Sequence, residues 1–214
     1  MSLIMYLTKA PRYEGVNVKD IKLIESYLEW QHEIEIGSRY ASKTFEKWCG
    51  SSESELPKKD IVNFYKQFWT EKNVVVEGAG VIEKPSLFEN VARLVKMNQI
   101  FNWFIKNIMD DKIDHEYYEV SKENLEELLA VCNKVKMNGI KFVNKDEHYR
   151  NTYEVDDEIA STYLPLLKNK GYFFGPEDYD TIYAKQVIDT AQIINKILAT
   201  TDFEKEVIYF NAIW

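Results

Sequence analysis

The spacing of apolar and polar residues along the chain predicts a series of amphipathic helices. Asn17 precedes an apolar stripe of Ile21, Ile24 and Leu28, which predicts a capped helix that ends at Gly37. Further helices are predicted from stripes through Ala41, Phe45 and Trp48; through Ile61, Phe64, Tyr65 and Phe68 after Pro57; through Leu125, Leu128, Leu129, Cys132 and Val135; over 155–163; and through Tyr179, Tyr183, Val187, Ile194 and Ile197 after Pro176.

One longer helix is predicted from Phe88 to Met109, and it contains an unexpected polar residue. Its apolar stripe consists of Val91, Leu94, Phe101, Ile105 and Ile108. At about 100° per residue, Asn98 falls within this stripe whereas Lys96 points away from it. A buried amide needs hydrogen-bond partners, which either the neighbouring backbone or a ligand can supply.

Alternating or β-branched segments predict strands at both ends of the chain and near its middle. The predicted strands are 3–8, 74–76, 117–120 and 206–214, and 138–153 is predicted as a loop or an irregular hairpin. Gly78-Ala79-Gly80 resembles half of a dinucleotide-binding loop, but Glu83 occupies the third glycine position, so a turn is predicted there.

These elements predict an α+β fold that is mainly α-helical. We expect about six or seven helices and a small antiparallel sheet in which the strand near Tyr118 and the N- and C-terminal strands are joined. Residues 1–214 are predicted to form a single domain, in which 13–85 is a helical elaboration on a framework of 1–12 and 86–214.

Charge narrows the classes of partner. The chain has 27 Lys and Arg against 35 Asp and Glu, and residues 86–214 hold 15 against 22. This excess disfavours direct binding to nucleic acid or to an anionic membrane, and it suits a basic protein partner, mimicry of nucleic acid, or simply solubility. No apolar run reaches the length of a bilayer span, and the widely separated Cys49 and Cys132 suggest a reducing cytoplasm.

The residues that could perform chemistry form one acidic cluster. Its members are Asp110, Asp111, Asp114, His115, Glu116 and Glu119. Carboxylates with one imidazole could bind a divalent cation and activate water, as in a metal-dependent hydrolase. The alternation of the predicted strand separates Glu116 from His115 and Glu119, and a solvated acidic turn is the simpler interpretation. No catalytic motif and no cofactor is predicted, and Glu177, Asp178 and Asp180 are explained by a helix start.

Aromatic residues near the C-terminus are the clearest candidates for an interface. The set is Tyr172, Phe173, Phe174, Tyr209, Phe210 and Trp214. Aromatic side chains anchor many protein interfaces, and they also fill cores. Both interpretations remain open from the sequence.

Several separated motifs resemble a family of small acidic bacteriophage and prophage proteins. They are Met5–Pro11, Lys96-Met-Asn-Gln-Ile with Trp103-Phe104, Tyr118-Glu-Val-Ser with Leu125-Glu-Glu-Leu and Cys132-Asn-Lys, Leu164-Pro165, Gly171–Gly175, Tyr179-Asp180 with Tyr183, Asp189-Thr190, and the ending from Ile208 to Trp214. The chain departs from the family pattern at Leu94, where a Trp is common, and at Phe101, where a His is common.

The family has no assigned activity, so the resemblance implies a setting in the bacterial cytoplasm and no reaction. With no catalytic motif in the chain, we expect a non-enzymatic protein-binding module with an unidentified partner. The candidate binding residues are Lys96, Asn98, Trp103, Tyr172, Phe173, Tyr179, Asp180, Tyr209 and Trp214.

Overall fold

The computed structural model describes residues 2–35, 37, 58–69, 74–77, 80–83, 86–145, 151–167 and 172–214. These residues form eight strands, six α-helices and one short 3₁₀ helix, which confirms the predicted α+β class. The predicted helix around 41–48 lies outside the described residues.

The strands form one four-stranded sheet and two hairpins. β1 (Ile4–Pro11), β4 (Glu89–Val95), β5 (Tyr118–Val120) and β8 (Glu206–Ile213) are arranged in the order β4-β1-β8-β5. β5 and β8 pair antiparallel, with Tyr118 opposite Phe210. The predicted sheet that joins the two terminal strands and the strand near Tyr118 is therefore confirmed.

The helices are α1 (Val18–Glu35), α2 (Lys59–Lys66), α3 (Asn98–Asn107), α4 (Lys122–Gly139), α5 (Asp157–Tyr163) and α6 (Thr181–Thr200). Several begin at side-chain caps, as their sequences predict. The Asn17 side chain accepts hydrogen bonds from the backbone of α1, and Ser121 and Asn124 form a reciprocal capping box at α4.

The predicted long helix from Phe88 to Met109 is wrong. Its first part is the strand β4, and only Asn98–Asn107 is helical. The two elements meet at Lys96, whose φ of 55° is incompatible with a continuous right-handed helix. Pairing with the N-terminal strand determines the outcome, since the Lys96 N–H donates to the Leu3 carbonyl (3.0 Å). The helical spacing of Val91 and Leu94 was therefore misleading.

One further boundary and the buried face of one helix differ from the predictions, and one predicted turn is described in more detail. The helix predicted to start at Pro176 begins at Thr181, because Asp180 is its N-cap and accepts two backbone N–H bonds of 2.9 Å. In α2 the buried residues are Val62 and Tyr65, while Phe68 follows the helix and is exposed. The predicted 171–175 turn contains the 3₁₀ helix Tyr172–Phe174.

Two hairpins lie outside the large sheet. β2 (Val74–Glu77) and β3 (Gly80–Glu83) pair antiparallel with Glu77 opposite Gly80, and residues 78 and 79 of the predicted turn lie outside the described residues. β6 (Ile140–Lys145) and β7 (Asn151–Val155) form a second antiparallel hairpin with an irregularity between Phe142 and Asn144. Of the two structures predicted for 138–153, the irregular hairpin is therefore the one observed, and it begins at Ile140.

The chain divides into two compact units. Unit 1 comprises Met1–Leu7, Val91–Phe203 and Ile208–Trp214, and unit 2 comprises Thr8–Asn90 and Glu204–Val207. The division of the chain into a framework and an elaboration over 13–85 stays a prediction. None of the helices in the described part of the chain combines the length and the apolar content needed to cross a membrane.

Unit 1 has a continuous apolar core that encloses α3. Every residue from Asn98 to Ile105 is buried, and Phe104 stacks on Phe210 with ring centres 3.9 Å apart. These first eight residues of the helix are thus enclosed by protein, so the polar side chains among them have to find partners inside unit 1. Core residues around it include Leu3, Met5, Leu7, Leu94, Val120, Leu128, Val187 and Ala212.

Candidate binding site

Asn98, the polar residue that falls within the predicted apolar stripe, links α3 to the segment before the 3₁₀ helix through hydrogen bonds. Its amide NH₂ donates to the carbonyls of Leu167 (3.1 Å) and Pro176 (3.4 Å), and its amide oxygen accepts the N–H of Leu167. The side chain thus satisfies both backbone groups of Leu167, as a neighbouring strand would. This geometry accounts for a buried amide without a ligand.

The backbone of Lys96 is held from two sides. The Gln186 amide donates to the Lys96 carbonyl (3.0 Å), and Gly175 packs directly against the same carbonyl. A Cβ atom added to Gly175 would lie 2.0 Å from the Lys96 oxygen, which only glycine avoids. We refer to Lys96, Asn98, Gly175 and Gln186 as the α3 junction.

Two more polar residues of α3 extend this internal network. The Gln99 amide donates to Gln186 Oε1 (3.0 Å), and the Asn102 amide donates to the Pro165 carbonyl (2.8 Å). Gln99 Oε1 is buried and accepts no hydrogen bond from the described part of the chain. The polar side chains at positions 98, 99 and 102 are therefore directed into the protein. Their contacts explain how they stabilise the fold and indicate no other role.

The candidate aromatic residues separate into a buried group and an exposed one. Trp103 and Tyr209 are buried, and Trp214 is half-buried with its ring 5.7 Å from Phe101. Tyr179 packs edge-on against Tyr183, and its hydroxyl accepts the N–H of Leu166 (3.4 Å). Phe173 is 57% exposed, and the side chain of Tyr172 lies outside the described residues.

Within the acidic cluster, two of the proposed metal ligands are engaged by the protein itself. Asp114 accepts the Tyr118 hydroxyl (2.7 Å) and the Glu116 N–H (3.0 Å). His115 Nδ1 lies 2.9 Å from the Ala212 carbonyl, which only accepts hydrogen bonds, so Nδ1 carries the proton. The His115 ring also packs on Trp214 at 4.1 Å.

Asp110 and Asp111 both have positive φ values, 50° and 60°, where α3 ends, and Asp tolerates this conformation well. No group of three metal-ligating side chains with suitable geometry occurs among the described residues, which include all of 110–119. These contacts favour an internal structural role for the cluster, and its metal-binding role stays a prediction.

Burial changes the acidity of three side chains in unit 1. It raises the pKa of the Cys132 thiol to about 12, so the thiol is protonated and unreactive near neutral pH. It raises the pKa of Tyr183 far above its usual value, and that hydroxyl donates to the Leu164 carbonyl (3.0 Å). Burial, followed by the hydrogen bond to Asp114, raises the pKa of Tyr118 to about 12. None of the three is poised for acid–base chemistry at neutral pH.

A surface that the sequence did not mark lies at the β6–β7 hairpin. Phe142 and Val143 on β6 are 53% and 45% exposed, and Met137 near the end of α4 is 76% exposed. Ile182, next to a threonine that binds β7, is 56% exposed. We refer to Met137, Phe142, Val143 and Ile182 as the hairpin region. The sequence feature that could have indicated this surface is the apolar pair Phe142-Val143, which lies between two lysines in a segment predicted as a loop or hairpin.

Comparison with known protein families, curated proteins and solved structures finds no match to this chain. The resemblance to phage and prophage proteins therefore rests on the sequence motifs alone.

Proposed function

We propose that this chain is a non-enzymatic protein-binding module of the bacteriophage or prophage type that acts in the bacterial cytoplasm. The supporting observation is the exposure of large apolar side chains in the hairpin region. Large apolar side chains that stay exposed on one hairpin and on the elements that adjoin it are typical of sites where proteins bind each other. Asn98 and Asp114, in contrast, are hydrogen-bonded within unit 1.

Photo-cross-linking in living cells tests this proposal directly. A photoreactive phenylalanine analogue is placed at Phe142, and in a matched chain at Ile113, which is also exposed but lies in the acidic turn. We expect one cellular protein to be cross-linked from position 142 in a lysogenic or infected bacterium and to bind the purified chain afterwards. A pattern identical at both positions, or no cross-linked protein, would contradict the proposal.

No contact favours the other two functions over this one. The metal-dependent hydrolase needs Asp110, Asp111, Asp114, His115 and Glu119 to converge, whereas Asp114 and His115 are bonded elsewhere. A melting temperature that rises with Mn²⁺, Zn²⁺ or Ca²⁺ would revive it. Mimicry of nucleic acid needs carboxylates in a row along one face at the spacing of duplex phosphates.

A further inference from the structure

The β6–β7 hairpin has hydrogen-bonding groups that face away from its own ladder. Asp156 N–H donates to the Gly139 carbonyl (2.7 Å) at the base of the hairpin, which makes these two residues a hydrogen-bonded pair. Hydrogen-bonded and non-hydrogen-bonded pairs alternate along an antiparallel ladder. Phe142 and Tyr153, three pairs further on, are therefore a non-hydrogen-bonded pair, and their backbone groups point outward.

One of the two outer edges is occupied. The Tyr153 N–H donates to Thr181 Oγ1 (3.0 Å), and the Thr181 hydroxyl donates to the Tyr153 carbonyl (2.9 Å). On the opposite edge, no hydrogen bond from another described element reaches the N–H or the carbonyl of Phe142. With respect to the described residues, the outer edge of β6 is therefore open at Phe142.

The segment that leads into β6 and contains it differs in charge from the rest of 86–214. Residues 128–145 contain four lysines and no acidic residue, and Lys134, Lys136 and Lys141 are exposed. Three acidic residues, Asp156, Asp157 and Glu158, directly follow β7, so the excess of positive charge belongs to the end of α4 and to β6 and not to the whole hairpin. Glu154 lies across from Lys141 and offsets part of this charge. The end of α4 and β6, the strand with this edge, thus form a basic and apolar segment of an acidic chain.

We propose that the outer edge of β6 binds an extended acidic segment of the partner protein, in which carboxylates alternate with apolar residues. This inference rests on the proposed function and specifies its partner. Strand addition would satisfy the outward groups of Phe142, while the lysines pair with the carboxylates. A second copy of the chain fits less well, because edge-to-edge pairing would bring lysines together and the irregularity at Val143 limits long pairing.

Selection from a random peptide display library, with the whole chain as bait, tests the chemistry of the partner. We expect enriched peptides to alternate Asp or Glu with apolar residues. Their affinity should fall at least about tenfold for the chain with Lys136→Glu and Lys141→Glu. It should change less than about twofold for a matched chain with Lys106→Glu and Lys196→Glu, which reverses two exposed lysines elsewhere in unit 1.

Backbone methylation of the selected peptides tests the mode of binding. Only alternate residues of an added strand face β6, so N-methylation should abolish binding at one set of alternate positions and spare the other. Enrichment of basic peptides, equal loss at all positions, tighter binding of an oligonucleotide, or dimerisation through Phe142 would each overturn the inference. If a cellular partner cross-links from Phe142 and its affinity is unchanged by Lys136→Glu and Lys141→Glu, this inference about the partner is wrong, whereas the proposed function still stands.

Discussion

The α3 junction and the hairpin region belong to the same unit and use their side chains in opposite ways. At the junction, the Asn98 side chain satisfies both backbone groups of Leu167, and the Gln186 amide caps the Lys96 carbonyl. At the hairpin, Phe142 exposes half of its side chain and directs its backbone groups outward. At the junction, side chains of unit 1 satisfy the backbone carbonyl of Lys96 and both backbone hydrogen-bonding groups of Leu167, whereas at the hairpin the backbone groups and the ring of Phe142 are available to a partner.

This difference shows which sequence signals indicate function in this chain. A polar residue within an apolar stripe must find a partner, and a folded protein usually supplies that partner itself. A large apolar side chain outside any stripe has no such internal explanation. Substitutions that affect the junction should therefore reduce stability, whereas those at the hairpin should reduce binding.

The largest effect is expected for Gly175→Ala. The added Cβ would lie 2.0 Å from the Lys96 carbonyl oxygen, and the φ of +130° is strained for any L-residue with a side chain. We expect a loss of more than about 3 kcal/mol in the free energy of unfolding, measured by urea denaturation.

Gly15→Ala is the matched control for this change. Gly15 also has a positive φ, 78°, but no heavy atom of the described residues lies within 4 Å of an added Cβ, so a loss of about 1 kcal/mol is expected from the backbone alone. Equal losses for the two substitutions would mean that Gly175 matters only for its conformation, and the packing of the junction would be less tight than described.

Asn98→Ala should have the second-largest effect. It removes the partners of the Leu167 N–H and carbonyl in a half-buried environment, and each unsatisfied group costs about 1–3 kcal/mol. We expect a total loss of about 2–4 kcal/mol in urea denaturation. Asn195→Ala on the exposed side of α6 should be neutral or slightly stabilising, because alanine favours helix. A loss below about 1 kcal/mol for Asn98→Ala would show that water replaces the amide.

The sequence predicts those parts of the fold whose pattern is determined locally. The stripe of α4, with Leu125, Leu128, Cys132 and Val135, is buried as predicted, and the alternating C-terminal segment is a strand. The prediction failed between Phe88 and Val95, where Val91 and Leu94 have helical spacing. Pairing with β1, which lies about ninety residues earlier, decides the conformation there, and a local pattern contains no information about such a partner.

The candidate site was less predictable than the fold for a related reason. Asn98 and the acidic cluster attract attention because their residue types suggest chemistry, yet their partners come from distant segments such as Leu167 and Ala212. Phe142 and Val143 look like ordinary strand residues in sequence. Only the three-dimensional structure shows that β7 is bonded to Thr181, while no described element bonds to the outer side of β6 at Phe142.

Tyr118→Phe tests whether a hydrogen bond within unit 1 stabilises the acidic turn, as hydrogen bonds stabilise the junction. Loss of the hydrogen bond to Asp114 should cost about 1 kcal/mol at pH 7. The pKa of Tyr118 is raised from 10.0 to about 12 in the folded state, so folding favours the neutral phenol. Its contribution to stability is complete below pH 10 and is lost as the pH rises from 10 to 12.

The stability gap between the wild type and Tyr118→Phe should therefore narrow above pH 10 in urea denaturation. Tyr163→Phe is the control, because the ring beneath the Lys134 ammonium is retained and no hydrogen bond of the hydroxyl is lost among the described residues. A gap that stays constant from pH 9 to about pH 11 would contradict the assigned bond between Tyr118 and Asp114.

The smallest effect on stability is expected for Phe142→Ser. This substitution therefore separates a loss of binding at the hairpin region from a loss of stability. More than half of the Phe142 side chain is already exposed, so its replacement should change the free energy of unfolding by less than about 0.5 kcal/mol. Phe104→Ala, in the core against Phe210, should cost about 3–5 kcal/mol in the same assay.

If Phe142→Ser abolishes binding of the cross-linked partner while leaving the unfolding curve unchanged, the side chain acts on the partner and not on the fold. A destabilisation close to that of Phe104→Ala would instead place Phe142 in the core and remove the distinction between the two regions.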